Sequence, residues 1–215
     1  DLRWLGCRWQ EGPDVGGDYG PYCQRDRTSH YQQVWQQLNC KHVIYPSPHS
    51  RKDVARAISE PQEGDREIVF QPSLRPSEWK TVSAPGEMNW RVRVPDGESI
   101  TFTDENYGPQ SFIAGKDFGD FIVWRRDGYV SYELAVVADD HAMEITEVVR
   151  GEDLLLSTAK QILLYRALDW AIPNFYHCPL VRDGTGQRLA KRDGARSVRS
   201  LREQGTTPTE IQNIS

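Results

Sequence analysis

Apolar and polar residues change period several times along this chain, and the sharpest changes frame residues 129–150. Within it, residues 134–138 form a continuous apolar run that stops at Asp139, Asp140 and His141. A second apolar run, 145–149, stops at Arg150, Gly151, Glu152 and Asp153. Short apolar runs bounded by polar residues fit strands buried on both faces, as in a parallel sheet. Charges gathered at the carboxyl ends of two such strands mark the place where open α/β sheets bind ligands. The alternative is two core strands with solvated loops.

Elsewhere the pattern predicts a loop over 12–21, rich in glycine, proline and aspartate. Residues 25–38 read as a helix, with Tyr31, Val34, Trp35 and Leu38 on one face at i, i+3, i+4, i+7 spacing. A short strand follows over 42–45, then a helix candidate over 51–59. Residues 90–94 alternate apolar and basic, 95–97 turn, and 99–103 alternate back, which predicts a hairpin with one wet face. A strand is expected over 120–124. The clearest helix is 157–170, capped by Ser157 or Thr158 and ended by Pro173. A strand over 177–181 and a helix over 198–204 complete the order. The polar, proline-rich stretch within 46–118 reads as a small α+β insertion between two halves of a sheet.

The chain has 215 residues, enough for a large domain or a domain with an insertion. A net charge of −5 excludes a binder held by bulk positive charge but permits a local basic site. No apolar run approaches the ~18 residues that cross a membrane. Cys7, Cys23, Cys40 and Cys178 form no CxxC pair, which suits reduced thiols. With no signal-peptide pattern, a cytoplasmic protein without membrane contact is expected.

The candidate chemistry is basic. Arg188, Lys191 and Arg192 lie in a glycine-flanked loop, where a lysine suits developing charge on a transferred phosphate. The alternative is a solvated basic turn. Arg150, at the end of an apolar run, suits bidentate binding of a carboxylate; its alternative is an ion pair with Asp139 or Asp140. Tyr132 stands two residues before the first run, where simple packing is its alternative.

Taken jointly, Tyr132-Glu-Leu-Ala-Val-Val-Ala-Asp-Asp, Val149-Arg150-Gly151, Ser157-Thr158 and Gln187-Arg-Leu-Ala-Lys191-Arg resemble the class I glutamyl-tRNA synthetase catalytic core. Trp4-Leu-Gly, Glu11-Gly-Pro-Asp and Tyr19-Gly-Pro-Tyr extend the resemblance over nearly the whole chain. It is closer to the shortened, queuosine-modifying paralogues. Full-length glutamyl enzymes resemble Tyr-x-Leu-Ala-Asn where this chain carries Val136, as those paralogues do.

The resemblance implies an α/β fold: a Rossmann-like class I aminoacyl-tRNA synthetase catalytic domain over 1–215, with an inserted α+β subdomain at 46–118. It implies activation of glutamate by ATP, with Mg2+, and transfer of glutamate to queuosine in the anticodon of tRNA(Asp) by a monomeric protein. Tyr132 and Arg150 would bind glutamate. Arg188 and Lys191 would act in catalysis, Lys191 being the ATP-contacting lysine of the family's second signature loop. In that loop Arg188 replaces a lysine and Ala190 a serine.

Two departures stand out. The family's first signature, a His-x-Gly-His-like loop, has no counterpart, so the first βα unit is expected to be missing and the chain as given inactive. Thr207-Pro208-Thr209-Glu210 is a helix-opening capping box near Ser215, which agrees with a fragment. Second, Ser47, His49, Phe70 and Leu74 stand where many paralogues place zinc ligands. One imidazole cannot make a tetrahedral site, so no zinc is expected and the insertion would be held by apolar contacts alone. The rival readings are a fragment of an ordinary glutamate–tRNA ligase and a non-catalytic RNA-binding remnant of a synthetase.

Overall fold

Helix α1, Thr28–Cys40, follows a 3-10 turn at Gln24–Arg27 and buries Tyr31, Val34, Trp35 and Leu38, the face its spacing predicts. Trp35 meets Trp90 edge-on, with ring centroids 4.8 Å apart, a favoured aromatic geometry. The structure is a computed structural model and describes residues 1–50, 53–54, 69–181 and 197–212. Its contacts divide the chain into two compact units, 1–20 with 178–215, and 21–177. The helix candidate over 51–59 falls largely outside the described residues.

In the larger unit, strand β1 is Ile44–Ser47, two residues later than expected. It pairs antiparallel with β2, Asn89–Val92, from Ile44 opposite Val92 to Ser47 opposite Asn89. On its other side β2 pairs antiparallel with β5, Ile122–Trp124, with a register shift between Trp90 and Arg91. Thus β2 does not form the hairpin expected over 90–103. The hairpin is instead β3, Ser99–Asp104, with β4, Gly108–Ile113. Gly108 and Pro109 made β4 a poor strand on composition. The turn supplies the missing reason: Asp104 Oδ1 accepts from the backbone N–H of Asn106 at 3.1 Å and of Tyr107 at 2.9 Å, and Gly108 takes a φ of +68°. Asp104 also stands opposite Phe175 in the parallel pairing of β3 with β7, Asn174–Cys178. β7 begins three residues before the predicted 177–181. The second sheet runs β4-β3-β7-β6, with β6 at Glu147–Gly151.

The largest correction falls on residues 134–138. They belong to helix α2, Tyr132–Ala142, not to a strand. Its buried residues, Leu134, Ala135, Val137 and Ala138, lie on one helical face. A five-residue apolar run fits either element by periodicity. Alanines favour the helix, and Ser131 caps it, its side chain accepting from Leu134 N–H at 3.5 Å. Asp139 and Asp140 therefore lie in the last turns of a helix. Strand β6 does follow, but it is not buried on both faces, since Val149 is 67% exposed.

Helix α3, Leu155–Leu168, starts before Ser157, so neither Ser157 nor Thr158 caps it. It ends before Pro173 is reached, at Asp169 with a left-handed φ of +58°. Lys41 Nζ donates to Ala167 O at 2.8 Å and pairs with Asp169 at 2.6 Å, placing a cation at the helix C-terminus.

Residues expected to rely on apolar contacts have a buried polar clamp as well. Asp120 accepts from Arg75 Nε and Nη2, both at 2.7 Å, from Tyr45 Oη at 2.5 Å and from Val94 N–H at 2.9 Å. Arg75 also pairs with Asp96. Beside the clamp, Tyr45, Val54 and Phe70 form a small apolar cluster with Leu74 and Trp79. Gly119 fits against this cluster because a Cβ there would fall 2.4 Å from Phe70 N. The expected wet face of β2 is also incomplete: Arg91 is buried and donates to Asp120 O at 2.9 Å and Ser47 Oγ at 3.3 Å.

In the smaller unit, Asp14 accepts from Arg3 and from Trp9 Nε1, both at 2.8 Å. Helix α4, Val198–Glu203, is capped by Ser197. Thr207 and Glu210 form the expected capping box at helix α5, Pro208–Gln212: Thr207 N–H and hydroxyl donate to Glu210 at 2.7 and 2.8 Å, and Glu210 N–H donates back at 3.4 Å.

Candidate active site

Arg150 ends an exposed strand, yet its guanidinium turns inward. Its Nη2 donates to Thr158 Oγ1 at 2.7 Å and its Nε to His177 Nε2 at 3.2 Å. The guanidinium carbon lies 5.6 Å from the Phe175 ring centre, within cation–π range. Among the described residues, buried Nη1 has no hydrogen-bond partner. A buried donor of this kind calls for an acceptor. The ion pair weighed from the sequence is not what holds Arg150. Asp139 is taken by Arg27 Nε at 2.6 Å and by the Tyr31 hydroxyl at 2.8 Å.

The Arg150 charge also acts on Asp140. Burial raises its carboxyl to about 6, with Asp139 adding to the shift and Arg150 opposing it. The unfolded chain releases this proton near 3.8, so the folded state binds more protons between about pH 4 and 6. Stability contributed by this group therefore falls as pH rises through that window. Asp140→Asn is expected to stabilise the fold above about pH 6 by on the order of 2 kcal/mol, with no gain near pH 4. Urea unfolding of both proteins at the two pH values checks it; an equal shift at both would remove Asp140 as the cause.

Tyr132, the other glutamate candidate, is 49% exposed at the start of α2. It lines a cavity of about 980 Å³ with Arg91, Asp120, Glu133 and Lys160 among its walls. Arg150 is not a wall of that cavity, but its charge acts on Glu133, the neighbour of Tyr132. Burial raises the Glu133 carboxyl, and Lys160, the hydrogen bonds of Gln161 and Ser157, and Arg150 hold it back in part. Gln161 Nε2 donates to Glu133 at 2.8 Å. Val136, also on α2, is partly buried. Arg188 and Lys191 lie outside the described residues.

Sequence reading missed Glu133, Lys160, Asp104 and His177. A signal existed for two of them. Helix α3 is apolar round most of its circumference, the pattern of a buried helix, so its Lys160 is a buried lysine. In β7, period two puts His177 on the inward face with Phe175; both are buried. Asp104 offered no such signal, because its partner is 73 residues away.

The residues aligned with zinc ligands do not fit that metal. Ser47 faces Arg91, a cation. Phe70 and Leu74 pack with Tyr45, and the His49 ring lies 6.2 Å from that of Phe70. Among the described residues, no group of three or more His, Cys, Asp or Glu is placed to hold a metal ion.

The mixed α/β fold is that of a Rossmann-like class I synthetase catalytic domain. Residues 1–214 match the family of tRNA synthetases class I (E and Q), catalytic domain, and the chain belongs to that family. It is 45% identical to a glutamyl-Q tRNA(Asp) synthetase of Symbiobacterium thermophilum over 98% of this chain and 66% of that protein. It is 41% identical to glutamate–tRNA ligase 2 of Nitrosococcus oceani, over 99% of this chain and 46% of that one. A crystal structure of a glutamate tRNA ligase from Elizabethkingia meningosepticum, in complex with its amino acid, superposes with a TM-score of 0.72 at 30% identity. That match covers 90% of this chain and 41% of the other. The chain thus spans about two thirds, or less, of these relatives' lengths.

Proposed function

We propose that the protein to which this chain belongs activates glutamate with ATP and transfers it to queuosine in the anticodon of tRNA(Asp). The observation that carries the reading is Arg150. A guanidinium anchored at two nitrogens, with a third buried and unpartnered among the described residues, suits a carboxylate of glutamate. Tyr132 lines the cavity that includes Glu133, on which the Arg150 charge acts, and would contact the same substrate. Val136 in place of the asparagine of full-length enzymes, and the similarity to glutamyl-Q tRNA(Asp) synthetases, favour the queuosine-modifying branch. Mg2+ would accompany ATP through its phosphates. The protein would act as a cytoplasmic monomer, with 46–118 as its inserted subdomain.

The test is glutamate-dependent ATP–pyrophosphate exchange by the intact protein, followed by transfer of labelled glutamate. Label on queuosine-containing tRNA(Asp), and none on queuosine-free tRNA(Asp) or tRNA(Glu), is the expected result. Label on tRNA(Glu) would establish the ordinary ligase instead. No exchange at all would leave a non-catalytic remnant.

Arg188 and Lys191 would stabilise charge on the phosphates as pyrophosphate leaves. Lys191→Ala is expected to lower kcat by about 100-fold or more, with a smaller effect on glutamate KM. A loss confined to KM would take Lys191 out of that role.

A further inference from the structure

Behind Arg150 lies a buried chain of polar groups, Asp104, His177 and Thr158. Asp104 is 1% exposed and His177 is 0% exposed. His177 Nδ1 lies 2.6 Å from Asp104 Oδ2, and His177 Nε2 lies 3.2 Å from Arg150 Nε. A guanidinium N–H can only donate, so Nε2 must accept from Arg150. Thr158 also approaches Nε2, at 3.2 Å, but its single hydroxyl hydrogen is directed to Leu154 O at 3.1 Å. The ring proton therefore sits on Nδ1 and is donated to Asp104.

We propose that Asp104 and His177 are positioning residues that fix the direction of the Arg150 guanidinium by fixing the tautomer of the imidazole between them. The inference rests on the reading of Arg150 as the glutamate carboxylate site. A simple filler would need no such polarity. Each atom in the chain has one hydrogen-bonding role, and reversing any of them sets two donors or two acceptors face to face. Thr158 completes the fixation, since it accepts from Nη2 while its own proton is committed elsewhere. The carboxylate is held in its charged form by the same geometry. Burial would raise Asp104, but the His177 ring and the N–H groups of Tyr107, Asn106 and His177 outweigh it and hold the carboxyl below its ordinary range.

Asp104→Asn tests the relay with almost no change of shape. The amide oxygen is expected to remain where Oδ1 accepts from Asn106 and Tyr107. The amide NH2 then replaces Oδ2 and donates to His177 Nδ1, while the His177 backbone N–H, which Oδ2 accepts at 3.1 Å, is left to the amide oxygen in place of Oδ1 at 3.4 Å. The ring proton is driven to Nε2, against the Arg150 Nε–H. Catalytic triads lose function by the same inversion. Glutamate KM in ATP–pyrophosphate exchange is expected to rise about 10- to 100-fold while kcat stays within about threefold.

Nitrogen NMR of the His177 ring gives a readout independent of activity. It should find the proton on Nδ1 in the unaltered intact protein and on Nε2 in Asp104→Asn. An Nε2–H ring in the unaltered protein overturns the relay, as does an unchanged tautomer in the variant. It is also overturned if Arg150→Ala raises glutamate KM and Asp104→Asn does not. If Arg150→Ala itself leaves glutamate KM unchanged, the glutamate assignment falls separately, and the tautomer still decides whether Asp104 directs His177.

Discussion

Asp120→Ala is expected to destabilise the fold by about 3–5 kcal/mol, the scale of a buried ion pair broken on one side. Asp120 is 3% exposed and accepts hydrogen bonds from Arg75, Tyr45 and Val94. Its loss leaves the Arg75 guanidinium with Asp96 alone for a carboxylate partner. It also leaves the Tyr45 hydroxyl without the acceptor at 2.5 Å. Burial, then the charge of Asp120, push the Tyr45 phenol well above its usual range, so this hydroxyl stays a donor in need of an acceptor. Replacing both ends, Arg75→Met with Asp120→Ala, removes the stranded charge and should cost less than Asp120→Ala alone. Urea unfolding of the single and double variants decides it; a double variant at least as unstable as Asp120→Ala alone would show that the stranded Arg75 charge is not the source of the loss.

The second large effect is on binding. Arg150→Ala should raise glutamate KM by about 100- to 1000-fold, or about 3–4 kcal/mol, the scale of the loss when a buried carboxylate is left unpaired. The kcat at saturating glutamate should change much less, because the interaction is made in the ground state as well as the transition state. Initial rates of pyrophosphate exchange against glutamate concentration separate the two. A fall in kcat at constant KM would place Arg150 on the reacting phosphate rather than on the amino acid.

How much of this was legible beforehand varied with the length over which each signal acts. Tyr31, Val34, Trp35 and Leu38 mark α1 because four residues repeat one period. Residues 134–138 were misread because five apolar positions suit a strand or a helix, and the deciding signal, the Ser131 cap, lies outside the run. The β3–β4 hairpin was missed because the Asp104 side chain organises its turn, which composition does not reveal. Arg150 stood out through its place after an apolar run and the resemblance to a synthetase motif. Its supports did not, since Asp104, Thr158 and His177 come from three separate elements. The clamp of Arg75, Asp96 and Asp120 was hidden for the same reason: burial of a charge is settled by tertiary partners far along the chain.

Two donor contacts from within the fold hold Arg150, to His177 and to Thr158. An arginine side chain carries about 2 kcal/mol of rotamer entropy. Here folding, rather than ligand capture, bears the ordering of that side chain. The site is preorganised in the sense that its rigidity is stored in the fold itself. Loosening it from behind would leave the contact with an anion chemically the same, and the weaker binding would register in calorimetry as a less favourable entropy.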